Sequence, residues 1–91
     1  MDFDRLPGGS LVRQGLNDLA AQRETDASLL VQIGAPRLRI LGIPVPDVGG
    51  QPAEHRLYER LARNDSDSAH SRYNALIRLL VSFERAAECV G

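Results

Sequence analysis

The chain has 91 residues, of which 43% are hydrophobic and 25% charged, a composition that is typical of a globular protein and argues against a disordered one. Its formal net charge is −1, and the charges are evenly spread, so there is no basic arm or tail that would bind nucleic acid by neutralising phosphates. The single cysteine, Cys89, excludes an intramolecular disulfide, and no uncharged apolar run approaches the roughly 18 residues of a membrane span.

The beginning of the chain, "MDFDRLPGGS", carries two acids before its first arginine and has no apolar run. It does not resemble a signal peptide, and a lone cysteine favours a reducing compartment. We therefore expect a cytoplasmic protein that does not enter a membrane.

A first helix is predicted over residues 10–22, with Ser10 as a candidate N-cap and Gly15 as a weak point in its middle. Apolar residues recur there at the spacing of one helical face. They are Val12, Leu16, Leu19 and Ala20.

The middle of the chain is consistent with two structures. In the favoured one, Thr25 or Asp26 caps a second helix, "DASLLVQIG", which ends at Gly34 in a left-handed conformation, and Pro36 begins a short third helix, "PRLRIL". In the alternative, residues 29–41 form a β-hairpin around a Gly/Pro loop, which would make the fold α+β. A lone hairpin is only marginally stable, which favours the helices.

Residues 42–52, "GIPVPDVGGQP", form a Pro/Gly-rich loop, since three prolines and three glycines rule out a regular helix. Three of its residues, Ile43, Val45 and Val48, are more apolar than a flexible linker requires. The loop therefore either packs across the helices or offers an extended face to another molecule, and packing is favoured.

A further helix is predicted over residues 53–63, opened by Pro52 and with Glu54 in its first turn. Its buried side is formed by Leu57, Tyr58 and Leu61. On the opposite side lies a stripe of cations that could contact an anion or an acidic partner, or simply be solvated. The stripe consists of Arg56, Arg60 and Arg63.

The last predicted helix, residues 67–89, follows a short "NDSDS" turn, so the last two helices should form an antiparallel hairpin. Apolar residues recur along it at alternating steps of four and three, a seam of coiled-coil type that further apolar residues widen on both sides. The arc is broader than one neighbouring helix covers, which suggests contact with a partner. The candidate partner-binding residues are Tyr73, Leu76, Ile77, Leu80, Val81 and Phe83.

Catalytic chemistry has little support in the sequence. His55, His70 and Cys89 have no zinc-site spacing, and no nucleophile or dinucleotide motif is present, so we expect no metal, no cofactor and no enzymatic activity. The alternative is a nucleic-acid function, either binding RNA or DNA or cleaving RNA with the arginine stripe and His70, although the neutral charge argues against it.

Together these patterns predict one all-α domain over residues 1–91, a compact bundle of four to five short helices. The predicted function is a non-enzymatic protein–protein interaction or a regulatory or adaptor role. The expected partner is the chain itself or another protein, contacted through the last helix.

Overall fold

The computed structural model describes residues 3–90, which fold into five α-helices after a short 3₁₀ turn and contain no strand. The turn covers Phe3–Arg5, and the helices are α1 (Gly9–Ala20), α2 (Asp26–Ile33), α3 (Ala35–Ile40), α4 (Ala53–Asn64) and α5 (Ala69–Val90). The all-α prediction is confirmed, and the alternative hairpin over residues 29–41 is wrong because α2 and α3 occupy that segment. The first two positions and the last of the predicted 1–91 domain lie outside the described residues.

Helix α2 lies at the centre of the bundle and contacts each of the other four helices. Its residues 27–31 are buried without interruption, and Leu29, Leu30 and Val31 are completely inaccessible to solvent. Consecutive residues point to different sides of a helix, so continuous burial means that α2 is surrounded. The other helices are therefore arranged around an apolar axis.

The N-terminus of α2 is closed by a reciprocal capping box between Thr25 and Ser28. The backbone N–H of Ser28 donates to Thr25 Oγ1 at 3.1 Å, and the backbone N–H of Thr25 donates to Ser28 Oγ at 2.8 Å. Thr25, rather than Asp26, is therefore the N-cap. The pairing also satisfies the hydroxyl of Ser28, which is fully buried and would otherwise be costly to desolvate.

A buried carboxylate joins the end of α1 to this cap. Asp18 accepts a hydrogen bond of 2.7 Å from the hydroxyl of Thr25 and an ion-paired one of 2.9 Å from the guanidinium of Arg23. The bond from Thr25, and then that from Arg23, lower the pKa of Asp18, against the opposing effect of burial. The carboxylate is thus held in its charged form and connects α1 to the N-cap of α2.

Gly15 has a packing role that the sequence did not reveal. A Cβ atom at this position would lie 2.3 Å from the carbonyl oxygen of Ala27 and 2.4 Å from Val31 Cγ2. Glycine therefore lets the backbone of α1 come close to α2, and the predicted weak point is a contact point between helices.

Two predicted caps differ from the structure. The N-cap of α1 is Gly8, in a left-handed conformation with φ 72°, and Ser10 lies inside the helix. Gly34 has φ −84° and is not left-handed, so the chain passes almost directly from α2 into α3. A Cβ at Gly34 would lie 2.8 Å from Leu80 Cδ1, so this glycine makes room for α5.

The core has two parts, and both α2 and α5 contribute to each. One part groups α1, α3 and the loop around Val31 and Phe83. The other groups α4 and the beginning of α5 around Leu29, Leu30 and Leu80. With a radius of gyration of 12.6 Å, the bundle is as compact as expected for its length, about 12 Å.

The Pro/Gly-rich loop packs onto the first part of the core through Ile43 and Val45, which are buried, whereas Val48 is 55% exposed. The guanidinium of Arg39 holds the loop by donating from Nε and Nη2 to the carbonyl oxygen of Val45, at 3.0 and 2.8 Å. The favoured packing of this loop is thus confirmed for two of its three apolar residues.

The contact at Gly15 predicts the sign of a substitution. In an ordinary helix, Gly→Ala stabilises by about 1 kcal/mol, but here the added methyl group meets α2, and we expect Gly15→Ala to destabilise by about 1–3 kcal/mol in urea unfolding. Gln14→Ala, at the exposed neighbouring position, should change the stability by less than about 0.5 kcal/mol. A more stable Gly15→Ala protein would contradict the close approach of α1 and α2.

Asp18 predicts how the stability depends on pH. Because its pKa is lowered in the folded state, it contributes stability that is present above the ordinary aspartate pKa of about 3.9 and is lost as the pH falls through the lowered value. Asp18→Asn should be less stable than the wild type at neutral pH, and the difference should narrow on acidification. Urea unfolding between neutral and acidic pH measures the difference in the free energy of unfolding between the two proteins. A difference that does not change with pH would show that the charge of Asp18 does not stabilise the fold.

Candidate functional site

The residues predicted to bind a partner are divided between core and surface along α5. Leu80 is 4% exposed and Phe83 is fully buried, with its ring in an edge-on contact with Phe3 at 5.4 Å between centroids. Both residues belong to the core and attach α5 to the rest of the bundle. They do not themselves present a surface to another molecule.

Tyr73, Leu76 and Ile77 are half-buried and pack at the margin of the second part of the core. The ring of Tyr73 lies against that of Tyr58 in α4, with 5.8 Å between centroids. Burial, and secondarily the negative charge of Glu54, raise the pKa of the Tyr73 hydroxyl. This end of α5 is therefore anchored on α4; the antiparallel direction of the two helices stays a prediction.

Apart from Val90 at its last position, Leu79 and Val81 carry the exposed apolar surface of α5, with 42% and 38% of each residue accessible to solvent. Two positions apart on a helix, they lie about 200° apart around its axis, so they border opposite sides of the buried face. The turn before α1 approaches the Leu79 side, where a Cβ at Gly8 would lie 2.7 Å from the Leu79 carbonyl oxygen.

The other side is formed by Ile77 and Val81, which are four positions apart and therefore neighbours on the helix surface. We call these two residues the α5 edge. Charged groups follow it toward the end of the helix: burial raises the pKa of Glu84, against the lowering effect of Arg37, and Arg37 forms an ion pair with Glu88. The α5 edge is thus an apolar strip with a polar boundary.

The arginine stripe of α4 has acidic neighbours within the chain. Arg56 forms an ion pair with Glu24, and Arg60 Nε donates to Asp26 Oδ1 at 2.8 Å, so both tie α4 to the residues around the start of α2. Arg63 lies 4.0 Å from Glu59 of its own helix. The first two cations are therefore engaged in holding the fold.

His70 is exposed in the first turn of α5, where its Nε2 lies 3.2 Å from Asn74 Nδ2. In the described part of the chain, no three His, Cys, Asp or Glu side chains come together in a way that could hold a metal ion. Nor does any helix within residues 3–90 combine the length and apolar character needed to cross a membrane.

An apolar groove of about 1030 Å³ lies between α1 and the Pro/Gly-rich loop, and sequence reasoning missed it. Its walls include Phe3, Leu16, Leu41 and the proline pair of the loop, and among residues 3–90 the charged residue that lines it is Arg39. The alternation in Ile43-Pro44-Val45-Pro46 is a signal that could have indicated it, because the two aliphatic residues are buried and the two prolines are exposed.

Comparison of the chain with protein-family models, with curated proteins and with solved structures finds no match in any of the three.

The engagement of Arg56 and Arg60 strengthens the expectation that nucleic acid is not a partner. We expect no sub-micromolar binding of labelled single- or double-stranded RNA or DNA at physiological salt, measured by fluorescence anisotropy, because few free cations remain to neutralise phosphates. Tight binding that is lost when Arg56, Arg60 and Arg63 are replaced by alanine in a protein that remains folded would contradict this. Ribonuclease activity abolished by His70→Ala would contradict it as well.

Proposed function

We propose that this chain is a non-enzymatic interaction protein that pairs with a second copy of itself through the α5 edge. The observation that carries the proposal is the exposure of Val81, 38%, next to the half-buried Ile77 on a long amphipathic helix. An apolar strip on a helix that is already supported by the core can be covered by a partner without any rearrangement of the fold.

The apolar strip suits an antiparallel pairing of the two α5 helices. If the twofold axis passes at Val81, that residue meets its own copy, and residues whose numbers add to 162 lie at the same height along the pair. At 100° per residue, Arg78 and Arg85 lie on one side of Val81 and Glu84 on the other, so the arginines of the two copies face each other and their charges weaken the pair. The same register places Arg85 level with Ile77, where its aliphatic stem can cover the apolar surface.

A second chain with a matching apolar strip would be recognised by the same chemistry, so a regulatory or adaptor role toward another protein follows the same argument. We propose self-association first because each copy presents the same apolar strip, so two copies can cover each other's strip without a second kind of chain. An apolar strip this narrow predicts a weak dimer, with an interface at the low end of the usual size range.

The proposal predicts different effects for two neighbouring glutamates. Val81→Glu places two carboxylates face to face at the twofold axis and should dissociate the dimer. Ser82→Glu, at an exposed position turned about 100° away from Val81, should leave it intact. Light scattering at increasing protein concentration gives the masses. Circular dichroism checks that both variants remain folded, as expected because neither side chain is buried.

A charge reversal tests the register. Arg78→Glu should strengthen the dimer, because the new carboxylate then faces Arg85 of the other copy, and Arg78→Glu combined with Arg85→Glu should lose that gain because like charges face each other again. A wild-type protein that remains a 10.0 kDa monomer at high concentration would overturn the proposal. Equal effects of Val81→Glu and Ser82→Glu would do the same.

A further inference from the structure

The groove between α1 and the Pro/Gly-rich loop has the size and lining of a ligand site. Its volume of about 1030 Å³ lies just above the range for small-molecule pockets, about 300–1000 Å³, and it is an open groove and not an enclosed cavity. Such pockets combine mostly apolar walls with a few fixed polar groups, and here the walls are aliphatic side chains, prolines and the ring of Phe3.

Arg39 is the charged group of this groove, and it is held in place before any ligand arrives. Its Nε and Nη2 atoms donate to the carbonyl oxygen of Val45, a neutral acceptor. Among residues 3–90 no carboxylate is paired with it. A guanidinium has five N–H donors, so several remain for another acceptor.

The combination of an apolar trough and one oriented cation without a counter-ion defines the chemistry of the occupant. A hydrocarbon chain would cover the aliphatic walls, and a single carboxylate at its end would accept charge-assisted hydrogen bonds from Arg39. A neutral chain would gain no charge-assisted hydrogen bond from Arg39, which is exposed to solvent, and a cationic chain would be repelled.

We infer that the groove binds an amphipathic carboxylate, a hydrocarbon chain with one terminal carboxylate, with the chain between α1 and the loop and the carboxylate on Arg39. The groove lies apart from the α5 edge and involves neither Ile77 nor Val81. Binding there is therefore independent of self-association.

The experiment is a titration of the ¹⁵N-labelled full chain, followed by backbone amide signals, with three ligands of equal chain length. Decanoate should shift the amides of Leu16, Leu41, Ile43 and Val45, decanol should shift them more weakly, and decyltrimethylammonium should bind least. Equal binding of the anion and the cation would overturn the role of Arg39. Absence of decanoate shifts at these amides would overturn the site.

Two variants sharpen the assignment. Arg39→Gln should weaken decanoate about tenfold more than it weakens decanol, because the decanol measurement accounts for any change of the groove that follows from the loss of the Arg39–Val45 hydrogen bonds. Equal weakening of the two ligands would overturn the role of Arg39. Ala20→Trp, at an exposed position on the groove wall, should block all three ligands. Arg72→Gln, exposed on α5, is the matched control for loss of one positive charge.

Occupation of the groove by a second copy of the chain would also overturn the inference. In that case the amide signals of the groove residues would shift with increasing protein concentration in the absence of any ligand. Self-association through the α5 edge moves the signals around Val81 instead, so failure of either idea leaves the other testable.

Discussion

The burial of residues 27–31 of α2 on all sides is the constraint on which the rest of the structure depends. A short helix of eight residues has little stability of its own, so it forms because its neighbours enclose it. A buried helix also needs hydrogen-bond partners for the polar groups at its N-terminus. The capping box of Thr25 with Ser28 supplies them, and the carboxylate of Asp18 accepts a hydrogen bond from the Thr25 hydroxyl. Ion pairs from α4 to Glu24 and Asp26 then fix a second helix to the same end.

This arrangement explains why α5 is the helix left with an open side. Gly15 lets α1 approach α2 closely, and α4 covers another side of it, so much of the apolar surface of these helices is turned toward the centre. Helix α5 is the longest, at 22 residues, and it spans both parts of the core. Its buried face is occupied by Leu80 and Phe83, and the remaining width of its apolar arc reaches solvent at Val81 and Leu79.

Sequence periodicity predicted the positions of α1, α4 and α5 because each has one buried and one exposed side. The placing of Tyr58 on the buried side of α4 is wrong, since 39% of this residue is accessible to solvent. The ambiguity over residues 29–41 has the opposite cause: a helix buried all round carries consecutive apolar residues, such as Leu29, Leu30 and Val31, and loses the helical period that would distinguish it from a strand. The pairing of Arg56 with Glu24 joins residues 32 positions apart, and no local pattern predicts it. The groove likewise depends on where the loop meets α1, which only the tertiary structure determines.

Contact between the α5 edges of two copies is the central claim, and isotope-filtered nuclear Overhauser spectroscopy tests it most directly. In an equal mixture of ¹³C-labelled and unlabelled chains, the account predicts intermolecular contacts from the methyl groups of Val81 and Ile77 to the α5 helix of the other copy. Intermolecular contacts confined to other exposed apolar residues, such as Ile40 or Val48, would contradict it. So would the absence of any such contact in a sample whose measured mass is that of a dimer.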